Sequence, residues 1–376
     1  MDPNEKLSLK RRVQRSIRRR KPLSPLWYLL IAVVLLGAVV LLKNVHLGKK
    51  APVYNGAAGT GVCTVTFTGN INCVGDGKTI DAEGYAAYFE GVKELFSKSD
   101  YLSVPVNDPI LDDYVETYKS GMAIKFADRY FNVGLAEALA EVGVTDATIC
   151  NRDLFRYGSK GALETARTLE LHGMNISGLD SSVVATSAVY TLAEVNGVQV
   201  VHMGIETSDD RQRDYSTYDL RTYNDKDNNI TRDVAALREQ YPEAFIAVTV
   251  SWGEYYLLKP STYMKKVCRS LIDSGADIVI GTGIQMVLSA EQYGEGYIFY
   301  GLGNLIANEA YTMTQRGAVL NCVFDAAGKV TYELVPLSVK DGAPALSDSA
   351  VILRTLVSDI GEADYRIENG RLLISK

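Results

Sequence analysis

Histidine is scarce. Three occur in 376 residues, His46, His172 and His202, and they lie far apart in the chain. Dinuclear metal centres need several imidazoles and carboxylates converging on the cations, and a serine nucleophile needs an adjacent base, usually imidazole. Three isolated histidines supply neither. The five cysteines, Cys63, Cys73, Cys150, Cys268 and Cys322, form no C-x-x-C pair. Buried thiols are their expected state, a short Cys63–Cys73 bridge is the alternative, and the redox compartment stays open. There is no internal repeat, and the glycine-bearing stretches GTG and GLGN match neither a P-loop nor a dinucleotide fingerprint. Net positive charge is missing from most of the chain. The net charge of -6 divides into roughly +10 over the first fifty residues and about -16 over the remainder. Such an acidic body repels phosphate backbones, which excludes nucleic-acid binding.

What is present at the N-terminus is a membrane signal. Residues 26–42, LWYLLIAVVLLGAVVLL, carry no charge and have about the shortest length that spans a bilayer as a helix. Pro25 suits the helix start, and Trp27 and Tyr28 suit the interface. Residues 1–25 are dense in Arg and Lys, which by the positive-inside rule stay in the cytoplasm. A cleaved signal peptide is the alternative. The long basic region, the length of the apolar run and the lack of an A-x-A-like site after Lys43 favour an anchor. The expected organisation is a cytoplasmic tail (1–25), a transmembrane helix (26–42), a Gly/Ala/Lys linker (43–61), a main extracytoplasmic domain (62–345) and a C-terminal extension packed on it (346–376).

From Val62 onward strands and helices alternate. VCTVTFTG reads as a β-branched strand, YAAYFEGVKELFSKS as a helix, YLSVPV as a strand and ADRYFNVGLAEALAEVG as a helix closed by Gly143. DATICN is a strand and SKGALETARTLELHG a helix ended by Gly173. A hairpin turns at Asn196-Gly197. NITRDVAALREQY and STYMKKVCRSLIDSG are helices, and AFIAVTVSWG, ADIVIGTG and GYIFYGLGN are strands apolar enough to be buried on both faces. A second hairpin turns at Ala327-Gly328, and AVILRTLVSDIG looks helical. The pattern predicts a layered α/β domain with a mixed sheet or two sheets. The loop from Thr207 to Asn229 is long, polar and tyrosine-bearing, and long loops of that kind are often functional or mobile.

In α/β sheets, sites gather at the carboxyl ends of strands. Those ends are Thr68-Gly69-Asn70, Val106-Asn107-Asp108, Cys150-Asn151-Arg152-Asp153, Ser251-Trp252-Gly253-Glu254-Tyr255 and Gly281-Thr282-Gly283-Ile284-Gln285, with Tyr300-Gly301-Leu302-Gly303-Asn304 close behind. In this order, and above all in SWGEYYLLKP, LIDSGADIVIGTGIQ, GYIFYGLGNLI and NRDLFRYGSKGALET, the chain resembles the CapA family of poly-γ-glutamate capsule synthesis proteins. The resemblance runs from about Val62 to Asn308. It implies a calcineurin-like metallophosphoesterase fold, an α/β/β/α sandwich, here preceded by the single N-terminal transmembrane helix.

The same resemblance implies a pocket that has lost its metal ligands. Where the family has Asp, His, His and Asp, this chain has Asn70, Asp153, Ser251 and Arg156, and Gln285 closes the stretch that matches the family's His-Pro-His. Asn107 replaces a glutamate, and Arg152 brings positive charge that opposes a cation. Asn151, Trp252, Gly253, Glu254 and Tyr255 keep the pattern, and Asn304 ends the last matching segment. The expectation is therefore no metal, no cofactor and no catalytic residue. The chain would be a membrane-held subunit that works with an anionic surface polymer or with capsule-synthesis membrane proteins. Two alternatives stay open: a metal-independent hydrolase or transferase using Ser251, Asp153 and Glu254, and a cell-envelope interaction module reading partners through the Thr207–Asn229 loop.

Overall fold

A computed structural model describes residues 24, 33–34, 58–73, 82–111, 129–179, 190–207, 222–223, 229–253, 256–307, 311–361 and 364–375. The chain divides into two units, Met1–Lys50 and Ala51–Lys376. In the first, Val33 and Val34 are helical and exposed. The rest of the apolar run 26–42 lies outside the described residues, and among the described residues no helix is long and apolar enough to cross a membrane.

In the second unit the strands run β1 (Cys63–Phe67), β2 (Asn70–Ile71), β3 (Tyr101–Pro105), β4 (Asp146–Thr148), β5 (Asn175–Ser177) and β6 (Tyr190–Val195). They continue as β7 (Val198–Thr207), β8 (Thr222–Tyr223), β9 (Phe245–Ser251), β10 (Ile278–Thr282), β11 (Ala290–Tyr293) and β12 (Gly296–Phe299). The last six are β13 (Asn304–Ile306), β14 (Arg316–Phe324), β15 (Val330–Lys340), β16 (Ala343–Leu346), β17 (Tyr365–Glu368) and β18 (Arg371–Ser375). Two large sheets result. One has nine strands, ordered β17-β18-β15-β14-β1-β3-β4-β5 with β16 on β15; the other has seven, ordered β11-β12-β10-β9-β7-β6 with β8 on β7. The strands β1, β3, β4 and β5 are mutually parallel, as are β7, β9, β10 and β12. A short parallel pair, β2 and β13, ties the ends of the two halves together.

The sheets pack face to face. Val65 and Phe67 of β1, Leu320 of β14 and Tyr332 of β15 share one core with Ala247, Ile278 and Phe299 of the other sheet. Rings from opposite sheets meet edge-on or tilted, with Phe245 and Phe324 centroids 5.1 Å apart and Tyr297 and Tyr332 centroids 4.7 Å apart. Helices cover the outer faces. Gly134–Glu141 and Gly158–Leu171 bury Leu135, Leu139, Ala162 and Leu169 against the nine-stranded sheet. Asn229–Gln240 and Thr262–Asp273 bury Val234, Leu237, Val267 and Leu271 against the seven-stranded one. The layers are helix, sheet, sheet, helix, as the resemblance implies.

Thr262–Asp273 shows how sequence builds one layer. Ser261 caps it by accepting the amide N–H of Met264 at 3.2 Å. Met264, Val267, Cys268, Leu271 and Ile272 recur at three- and four-residue steps and are all buried. Burying such side chains stabilises by about 1.5–3 kcal/mol each. Gly275, at φ +109°, ends the helix in a conformation that glycine adopts without a steric penalty.

Three local expectations change. The helix expected over 85–99 is two short ones, Ala82–Phe89 and Lys93–Phe96. They part at Gly91, where a Cβ would lie 2.3 Å from the Pro344 carbonyl oxygen on β16. The helix expected over 127–143 is confined to Gly134–Glu141, because Phe131 is drawn into a bridge with Ile110 and buried. Past the helix Ala350–Leu356, the chain adds a hairpin of β17 and β18 to the edge of β15. All five cysteines are buried free thiols.

Backbone approaches closely at the sheet ends, as at Gly281. A Cβ there would lie 2.0 Å from the Tyr300 carbonyl oxygen and 2.4 Å from Trp252 Nε1. Replacing Gly281 with alanine should therefore push Trp252 off Tyr300 and lower stability by about 1–3 kcal/mol. Urea denaturation followed by circular dichroism checks this, and an unchanged midpoint would mean that the strands separate freely.

Candidate functional site

The tips of β1, β3, β4, β9 and β10 converge at one end of the two sheets, and asparagine amides join those of β1, β3, β4 and β10. Asn151 Nδ2 donates to Asn107 Oδ1 at 3.3 Å, Asn107 Nδ2 to Asn72 Oδ1 at 3.1 Å, and Asn72 Nδ2 to Asn304 Oδ1 at 2.9 Å. Asn304 Nδ2 ends the chain on the Thr314 carbonyl oxygen at 2.9 Å. Asn70 joins from the side, giving Nδ2 to Asn304 Oδ1 at 3.1 Å and to the Gly303 carbonyl oxygen at 2.8 Å. Its Oδ1 accepts from the Gly283 amide at 2.8 Å and from the Thr282 hydroxyl. Every amide thus points the same way along the chain, an arrangement in which each bond polarises the next. Backbone partners fix the direction. Asn151, for example, gives Nδ2 to the Val106 carbonyl oxygen at 3.0 Å and takes the Leu154 N–H on Oδ1 at 3.1 Å. That last bond also caps the 3-10 helix Arg152–Tyr157.

A pocket with about 240 Å³ of open space lies beside this chain of amides, lined by Asn107, Asn151, Arg152, Asp153, Glu206, Ser251, Trp252 and Gly283. Six of these were expected from sequence. Asn70 and Asn304 stand behind its wall, and Arg156 binds Asp153 at 3.2 Å. Gln285 is buried nearby, at φ +61°, with a side-chain oxygen that has no hydrogen-bond partner among the described residues. Trp252 packs into the helix-side core and donates Nε1 to the Tyr300 carbonyl oxygen at 3.1 Å, so its first role is structural. Glu254 and Tyr255 lie outside the described residues, as does most of the 207–229 loop.

Sequence reasoning missed Glu206. It ends the long strand β7 directly opposite Ser251 of β9 and is 2% exposed. Burial pushes its carboxyl up to about 7, Asp153 adds to this, and Arg152 pulls against it. The Arg152 Nε lies 4.0 Å from Glu206 Oε1, while its Nη2 turns to the Gly253 carbonyl oxygen. Glu206 Oε2 has no hydrogen-bond partner among the described residues. Asp108 is a second buried carboxylate at the rim. Its Oδ2 accepts from the Cys73 amide at 2.7 Å and from Arg129 at 3.2 Å, yet burial still leaves its pKa raised. Burial also pushes the Cys150 and Cys73 thiols up to about 12, so neither is a nucleophile near neutral pH.

These residues do not fit a pair of metal ions. Asn70 Oδ1 and Asn304 Oδ1 each already accept two hydrogen bonds, which leaves no lone pair for a cation. Among the described residues no three of His, Cys, Asp and Glu gather where they could hold one. The described histidines are elsewhere. His172 closes the helix Gly158–Leu171, and His202 sits between the sheets. Asp146, His202 and Thr249 do line up, with Oδ1 to Nδ1 at 2.9 Å and Nε2 to Oγ1 at 2.8 Å. The acid and the imidazole are both 0% exposed, so no substrate reaches them. The Ser251 hydroxyl makes no hydrogen bond among the described residues, and so has no base in contact with it there.

Residues 64–309 match the family described as bacterial capsule synthesis protein PGA_cap. The chain is 24% identical over 314 residues to a capsule biosynthesis protein CapA of Bacillus anthracis, covering 79% of this chain and 73% of that protein. It is 25% identical over 305 residues to a PGA biosynthesis protein CapA of Bacillus subtilis, covering 78% and 77%. Among solved structures it is similar to a 5'-nucleotidase precursor from Thermus thermophilus, at a TM-score of 0.44 and 13% identity, covering 75% of this chain and 56% of that one. A sulfate thiohydrolase SoxB from the same organism follows at 0.43 and 10%, covering 85% and 63%. The family match takes in the whole run of strand tips from β1 to β13 that the amides join, and by it the chain belongs to the bacterial capsule synthesis protein PGA_cap family.

Proposed function

We propose that this protein is a membrane-anchored subunit that holds, rather than hydrolyses, a surface polymer such as poly-γ-glutamate during its synthesis, export or attachment. The family and the two CapA relatives support the polymer. The uncharged run 26–42 behind a basic tail supports a single span, with the main domain outside the cytoplasm. The observation that carries the non-catalytic reading is the chain of amides. Its oxygens are engaged by neighbouring N–H and O–H groups at the strand tips where the family's metal ligands would stand. Hydrolysis by Ser251 without metal is less well supported, because that route needs a base at its hydroxyl.

One preparation tests the reading. The full chain, expressed in a bacterial host, should sediment with the membrane and expose its main domain to protease from outside. After purification it should carry only sub-stoichiometric metal by elemental analysis and turn over no phosphoester. Stoichiometric manganese, iron or zinc together with phosphoesterase turnover would overturn the non-catalytic reading.

A further inference from the structure

Among the charged groups that line the pocket, Glu206 is the one with a buried oxygen that the described residues leave without a hydrogen bond. Its Oε2 is without a partner among them, it lines the pocket, and it needs a donor. Arg152 serves the carboxylate through its backbone N–H and through Nε, 4.0 Å from Oε1, and turns Nη2 to Gly253, which leaves Oε2 for another donor. The neighbours that face the cavity can also accept. Ser251 Oγ is without a hydrogen bond among the described residues, and Asn107 Oδ1 has a single bond there, at 3.3 Å from Asn151. Three acceptors around a small space match the three N–H donors of a primary ammonium group. The enclosed part of the cavity holds about one water-sized group, which is the size of an ammonium head. An end group fits it better than a sugar ring or a nucleotide.

We infer that the pocket is a binding site for a primary ammonium group, held by Glu206 with Ser251 and Asn107. The lining sets two carboxylates, Glu206 and Asp153, against one guanidinium, Arg152, while Arg156 is paired with Asp153, and this balance disfavours an anion. The charge of the domain agrees. A body of about -16 repels the carboxylates along a polyglutamate chain, and the amino end is the one cationic group such a chain offers. Recognition of a polymer end rests on the polymer reading above, whereas the ammonium site itself does not.

Among the described residues the titratable groups facing Glu206 are Arg152 and Asp153 of the 3-10 helix and Cys150 at the end of β4. Burial pushes the Glu206 carboxyl up to about 7. Ammonium binding requires the ionised acid, so affinity must rise with pH as Glu206 loses its proton.

The probe is methylammonium, which stays charged throughout the range, titrated into the purified full chain by isothermal calorimetry. Binding should be about tenfold tighter at pH 8 than at pH 6 and should release protons into the buffer at pH 6. Glu206→Gln should abolish this pH dependence. Ser251→Ala, a milder change, should weaken binding several-fold and keep the slope. Absence of methylammonium binding, or acetate binding that tightens on acidification, overturns the site. A γ-linked glutamate oligomer with a free amino end, compared with its N-acetylated form, then distinguishes the source. Equal binding of the two would remove the polymer end as the ligand while leaving a positive methylammonium result standing.

Discussion

Replacing His202 with alanine should destabilise the main domain by about 3–5 kcal/mol, the range found when a buried charge, here the Asp146 carboxylate, loses its partner. The imidazole is the centre of a polar tie between the two sheets. Nδ1 meets Asp146 Oδ1 at 2.9 Å, and Nε2 meets Thr249 Oγ1 at 2.8 Å. Ser103 and Thr191 donate to the same carboxylate at 2.8 and 3.0 Å. Burial by itself would raise the Asp146 pKa. The charge and hydrogen bond of His202, with the Ser103 and Thr191 hydroxyls, outweigh it and hold the pKa below the ordinary carboxylate value. Without His202 the carboxylate stays in the core without its main partner. The sign with pH follows. A carboxyl depressed in the folded state contributes stability that is fully present above its unfolded pKa of about 3.9 and is lost as pH falls through the folded value. Urea midpoints at pH 7 for His202→Ala, Asp146→Asn and the double variant would measure the coupling. Additive losses would show that the pair does not act as one unit.

The helical and strand pattern was legible where one element answers to one partner. The cap at Ser261 and the apolar steps from Met264 to Ile272 sufficed for that helix. The Asn196-Gly197 turn sufficed for the hairpin of β6 and β7. Reading failed where a distant segment overrides local pattern. Phe131 lies in a stretch with helical spacing, yet its bridge to Ile110 takes it out of any helix. The hairpin Tyr365–Ser375 is short, and its reason to exist is the open edge of β15, which no local signal reveals. The site divides in the same way. Asparagines at strand ends are visible as departures from a pattern, so Asn70, Asn107 and Asn151 could be picked out. Glu206 looks like any polar residue at a strand end. Its burial, its oxygen without a partner among the described residues and its place opposite Ser251 exist only once β7 and β9 lie side by side. Asn72 was passed over because it belongs to no motif, although it joins Asn107 to Asn304.

Asn70→Asp tests whether the amides are a filled-in wall or a metal site short of one ligand. The change keeps the shape and puts back a carboxylate. On one side it costs nothing, since the Gly283 amide and the Thr282 hydroxyl still find an acceptor. On the other it replaces a donor with an oxygen facing the Gly303 carbonyl, 2.8 Å from the present nitrogen, and Asn304 Oδ1 at 3.1 Å. Two hydrogen bonds become two oxygen–oxygen contacts in a buried place, and the expected loss is about 2–4 kcal/mol at pH 7. The protonated acid can donate to one of those oxygens, so its folded pKa must lie above its unfolded one. The folded variant then binds more protons than the unfolded chain, and its deficit relative to wild type shrinks as the pH is lowered from 7 towards 4. Excess manganese or zinc should not restore the lost stability, because the neighbouring amide oxygens stay committed. A metal site wanting only this carboxylate would behave in the opposite way, with little loss at pH 7 and a rise in the unfolding midpoint when the cation is added. Urea denaturation of the variant at three pH values, with and without manganese, separates the two.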